Sequence, residues 1–152
     1  MTTRQWVGVA VGLLVVGGVI GAGVGRAGSA AVVRRTGQTD VGEAYVLFHQ
    51  ADHELALGHA GNAQSAASEA AGWLFSAVTP LQAMGIGDAS GLTTYLQGAE
   101  WDFVRGRASA HEQAVLRTFQ HVMAPLAHEN VGQIPDATFQ AALNQVQSAI
   151  GR

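Results

Sequence analysis

From Trp6 to Gly25 the chain runs for twenty residues without a charged or polar side chain, between Arg4 and Arg26. At a rise of ~1.5 Å per residue, a helix of that length crosses the roughly 30 Å hydrocarbon core of a bilayer. Trp6 falls where an indole prefers the headgroup layer. A helix of this length in a water-soluble core would carry polar residues along one side, and none occur. The pattern predicts a transmembrane anchor over residues 6–25, with 1–5 as a short flank. Gly28-Ser29-Ala30 before Ala31 also offers a small-residue cleavage site, so a secretory signal is the alternative. The apolar run is longer than the ~7–15 residues usual in such signals, which favours a retained anchor.

Beyond the anchor the spacing of apolar residues is helical throughout, with no alternating run that would make a strand. Residues 26–39 are small and basic and read as a juxtamembrane linker, or as a helical extension of the anchor. A first amphipathic helix is expected to start at Asp40, where Asp40 and Glu43 have capping-box spacing. Its apolar stripe is Val41, Ala44, Phe48, Ala51 and Leu55, with Tyr45 beside it, and Gly58 stops it. A second helix, about Asn62 to Met84, presents Ala63, Ala67, Ala70, Leu74, Val78 and Leu81. Its alanines let a neighbour lie close, and Pro80 should kink it or end it early. Asp88 caps a third helix bearing Leu92, Leu96, Ala99 and Phe103, broken at Arg105-Gly106-Arg107. Ser109 and Glu112 form a capping box for a fourth, with Val115, Phe119, Val122 and Leu126. A fifth starts at Asp136 after Pro135, carries Phe139, Leu143, Val146 and Ile150, and ends at Gly151. The fold class is therefore all-α: an N-terminal transmembrane helix, then a small bundle of four to five amphipathic helices over 40–151.

Glycine spacing adds a function to the anchor. Gly17, Gly21 and Gly25 fall at i, i+4 and i+8 on one stripe, and Gly8 and Gly12 form a second stripe nearly opposite. Small residues so spaced let helix backbones touch in lipid, so self-association or packing on a partner helix is expected.

Charge splits the chain. Residues 1–35 hold four Arg and no acid, whereas residues 36–152 hold four Arg and eleven acids, a net −7. Arg26, Arg34 and Arg35 after the anchor favour a cytoplasmic domain by positive-inside counting. Abundant Ala, Gly, Ser and Gln with no Cys and no Lys suit an exported surface, and this reading places the domain outside the cytoplasm. Nucleic acid is excluded as a partner: the domain repels phosphates, and Arg105 with Arg107 is too small a patch to reverse that. Expected partners are membrane lipid and a protein, either another chain or a second copy.

The absence of Cys and Lys removes thiolate metal sites, Cys nucleophiles, lysine Schiff bases and P-loop chemistry. Six His remain. His49-Gln50-Ala51-Asp52-His53 puts two imidazoles at i and i+4 with a carboxylate between them, which is ligand spacing for a divalent transition metal. The run resembles the H-x-x-E-H signature of inverted zincins over these five residues, with Asp52 where that family has Glu. No downstream glutamate stands as the third ligand, so it is not read as a peptidase. On the helical wheel His49 lies roughly 110° and His53 roughly 150° from the core stripe, while Asp52 leans inward. His111, His121 and His128 lie on or just after the fourth helix, and His121 neighbours the stripe residue Val122 rather than replacing a stripe position. Glu100 and Asp102, one helical step apart, diverge and make no glycosidase pair. The leading expectation is thus a non-catalytic interaction or assembly module with no resident cofactor. The alternative is a membrane-tethered metal-binding module using His49, Asp52 and His53.

Overall fold

A computed structural model describes residues 26–127 and 134–151 of the chain. Among the described residues five helices occur in order: α1 (Arg26–Ala56), α2 (Ala60–Ala83), α3 (Ala89–Val104), α4 (Ala110–Ala127) and α5 (Asp136–Ile150). The described residues contain no strand. α1 packs on α2, α3 on α2, α4 on α3 and α1, and α5 on α4 and α3. The all-α bundle read from periodicity is the architecture found.

The apolar stripes make one core. Phe48 of α1, Phe119 of α4 and Phe139 of α5 are fully buried with Leu74, Leu81, Leu96 and Leu143. Phe48 and Phe119 meet edge-on at 5.5 Å between ring centroids, an arrangement that suits the aromatic quadrupole. Three stripes are rotated by one residue from their expected centre. Ala77 is buried in place of Val78, Val104 in place of Phe103, and Met123 in place of Val122; the displaced residues are half-buried. Five alanines of α2 are buried, Ala63, Ala66, Ala67, Ala70 and Ala77, which lets its neighbours approach closely. At Gly37 of α1 an added Cβ would stand 2.9 Å from the Cβ of Pro80. Pro80 itself does not end α2, which continues to Ala83.

The helix junctions follow local chemistry. Gly58 and Gly106 take φ of +80° and +68°, the left-handed region open to glycine, just past the ends of α1 and α3. Asp88 caps α3 by accepting from the Gly91 N–H at 3.0 Å, with its own backbone left-handed. Ser109 and Glu112 bond reciprocally: the Ser109 N–H donates to Glu112 at 2.7 Å and the Glu112 N–H to the Ser109 hydroxyl at 3.2 Å. Gln140 and Gln147 of α5 donate to the carbonyls of Met84 and Gly87, tying α5 to the α2–α3 turn.

One start differs from expectation. α1 is helical from Arg26, the first described residue, rather than only from Asp40, so the basic segment 26–39 is helix and Asp40 lies mid-helix and buried. The Asp40/Glu43 pair is therefore no capping box. The Gly28-to-Ala31 stretch also falls inside this helix. Among the described residues no helix is long and apolar enough to cross a membrane. The anchor expected at 6–25, with Gly8, Gly12, Gly17, Gly21 and Gly25, lies outside them.

Candidate functional site

α1 presents His49, Asp52 and His53 as its helical wheel requires. Both histidines are exposed and Asp52 is half-buried, turned toward α4. His49 packs edge-on against Tyr45, with 5.4 Å between ring centroids. The structure does not bring the three together as a metal centre: among the described residues no group of three or more His, Asp or Glu is placed to hold an ion. Elsewhere, His111 is exposed and meets Tyr95 at 6.1 Å, His121 is exposed, and His128 lies outside the described residues.

Asp52 belongs to a different cluster. Its Oδ2 accepts a hydrogen bond of 2.6 Å from the Gln120 side-chain amide of α4. It lines a cavity of about 190 Å³ with Phe103, Gln113, Leu116, Arg117 and Gln120. Near it, Glu100 of α3 is 1% exposed and neither of its carboxyl oxygens has a hydrogen-bond partner. Burial first, and then the Asp52 charge, push the Glu100 carboxyl up to about 8. Burial also raises Asp52, against the opposing effects of the Gln120 hydrogen bond and of His49. An ionised carboxylate with no donor in a low-dielectric interior is costly, so the proton stays on Glu100 at neutral pH. The arrangement joins α1, α3 and α4 around one stored proton.

Two other polar groups are buried near the start of the bundle. Gln38 is 2% exposed and donates to the Ile134 carbonyl at 2.9 Å, which fixes the entry to α5 against α1. Arg34 pairs with Asp136 at 3.2 Å in the same region. Asp40 is raised to about 6 by burial and by the neighbouring Glu43 charge.

Glu100 is not legible as a site residue from the sequence. Its pairing with Asp102 is correctly rejected, since Asp102 instead binds Arg107 at 3.2 Å while Glu100 faces the core. The overlooked signal is its register: Thr93, Glu100 and Val104 fall at i, i+7 and i+11, and all three are buried. The Arg105/Arg107 patch is also committed internally, Arg105 lying 4.1 Å over the Trp101 ring.

No protein-family model, no curated protein and no solved structure matches this chain.

Proposed function

We propose that this chain is a single-pass membrane-anchored assembly module. Residues 6–25 would hold it in lipid and pair copies through the glycine stripes, with the helical domain outside the cytoplasm. The observation that supports this reading is the length of α1. Arg26, the residue after the apolar run and the first one described, is already helical, and residues 29–36 are exposed apart from half-buried Val33. The buried face begins only at Gly37. At ~1.5 Å per residue, the eleven residues from 26 to 36 make a strut of roughly 16 Å between the expected membrane boundary and the bundle. A helical strut passes the orientation of the anchor to the domain, which a glycine–serine linker would not do.

The test is the mass of the full chain in detergent micelles, measured by light scattering for the wild type and for Gly21→Leu. Leucine in the three-membered stripe holds the backbones apart. The wild type is expected as a dimer or larger assembly, with Gly21→Leu shifted toward the monomer. Equal monomeric mass for both forms overturns pairing through the anchor.

A further inference from the structure

Glu100 stands on the inner face of α3 with its carboxyl shut away from solvent, and no donor reaches either oxygen. What packs around it decides by which side water can reach it. α2 turns only alanines and leucines inward, and its one charged residue, Glu69, is exposed. α5 turns Phe139, Ala142, Leu143 and Val146 inward, and its one charged residue, Asp136, is paired with Arg34. Neither helix offers the carboxyl a charged partner.

The side toward α1 and α4 is different. Asp52 of α1 is the charge that acts on Glu100, and it also lines the cavity of about 190 Å³. Phe103 lines that cavity from α3, three residues beyond Glu100. From α4 come half-buried Gln113 and Gln120, buried Leu116 and exposed Arg117, so the cavity reaches the surface between polar side chains. Gln120 closes the seam by donating to Asp52 at 2.6 Å. Arg117 forms no ion pair among the described residues. His49, the other charge acting on Asp52, is exposed. A cavity of this size with several polar partners is one that water can enter, whereas an alanine-lined helix contact is not.

We propose that Glu100 is a proton latch on α4: loss of its proton parts α4 from α1 at the Asp52–Gln120 seam and admits water to the core, while α1 and α2 stay packed. A carboxylate has to be hydrated or paired, and in the closed bundle this one would be neither. Its charge would also add to that of Asp52, and like charges so placed repel. Movement of α4 relieves both effects at least cost. The cavity already interrupts packing there, and Gln120 and Arg117 carry donors that can turn to the new charge. Parting α2 from α3 instead would expose apolar surface and break the bond of 3.2 Å from Gln97 to the Ala71 carbonyl, with no donor gained. The latch lies in the helical domain and is independent of the anchor.

The measurement is amide hydrogen exchange of the full chain in detergent at pH 6.5 and 8.5, each rate divided by the intrinsic rate of that amide at that pH. The Glu100 carboxyl is held up to about 8 in the closed bundle against 4.5 ordinarily. An opening that releases its proton is therefore favoured by up to about tenfold per pH unit below 8. Amides of 115–121 in α4 are expected to lose protection by at least about tenfold between the two pH values, and those of 63–77 in α2 by less than about twofold. Glu100→Gln and the apolar Glu100→Met are both expected to abolish the α4 loss, and if one fails to fold the other decides. His49 and Asp52 are intact in both variants, so a loss that disappears there belongs to Glu100. Equal α4 protection at the two pH values, or a loss that persists in the variants, overturns the latch. A loss shared equally by α2 and α4 also overturns it, because the bundle then opens as a whole and no seam is singled out.

Discussion

Glu100 ties the stability of the bundle to pH. Its carboxyl stands at about 8 in the fold against 4.5 ordinarily, because burial and Asp52 both disfavour the charged form. Between those values the folded chain holds a proton that the unfolded chain releases. Stability from this group is therefore complete below about pH 4.5 and is lost as pH rises toward 8, by up to ~1.4 kcal/mol per pH unit. Asp40, raised to about 6 from 3.8, acts in the same direction over a lower window. Thermal melts are expected to show a higher Tm at pH 5.5 than at pH 8.5. Glu100→Gln, which keeps the shape and never ionises, is expected to flatten the upper part of that slope and to exceed the wild type at pH 8.5. A Tm that rises with pH from 5.5 to 8.5, or a Glu100→Gln slope equal to the wild type, contradicts the assignment. Asp52 shows what the sequence does reveal about a residue: its inward lean follows from the wheel of α1. Its role does not, because the partners that bury it come from α3 and α4 and no local pattern names them.

At the scale of elements, helix ends are readable where a side chain closes them. Asp88 with Gly91, Ser109 with Glu112, and Gly58 and Gly106 past their helices all do so. Asp40 has the same local signature and fails as a cap, because the preceding Ala30-to-Thr39 segment is itself helix-compatible and continues unbroken. Its carboxyl is instead covered by tertiary packing. Stripe centres slip by one residue in α2, α3 and α4, since crossing angles decide which flank turns inward. The closeness of α1 to α2 at Gly37 is also a tertiary fact. A side chain there meets Pro80 Cβ at 2.9 Å and Met84 Sδ at 3.3 Å. Gly37→Val is expected to destabilise by about 1–3 kcal/mol through overpacking, read as a lower urea midpoint. Gly98→Ala, at a helical glycine whose added Cβ meets nothing within 4 Å, is expected to be neutral or stabilising by up to ~1 kcal/mol. Equal midpoints for the two variants would show that α1 and α2 are not in contact there.

For the whole molecule, the governing feature is asymmetry along the chain. A polar-free run of twenty residues with basic flanks precedes an acidic helical domain, and one continuous helix, α1, carries the boundary at Arg26 into the core at Gly37. The domain's periodicity makes its helical class legible, whereas the contacts around Glu100 arise only when α1, α3 and α4 are set side by side. A membrane-anchored module requires that residues 6–25 insert in lipid. The decisive measurement is alkaline carbonate extraction of membranes bearing the full chain, alongside a Leu14→Arg/Val15→Arg form. Each arginine at the centre of a spanning helix costs about 2.5–3.5 kcal/mol on insertion scales. The wild type is expected to stay in the membrane pellet and the double-arginine form to move to the supernatant; a wild type released by carbonate, or a double-arginine form retained as firmly as it, contradicts the membrane-anchored module.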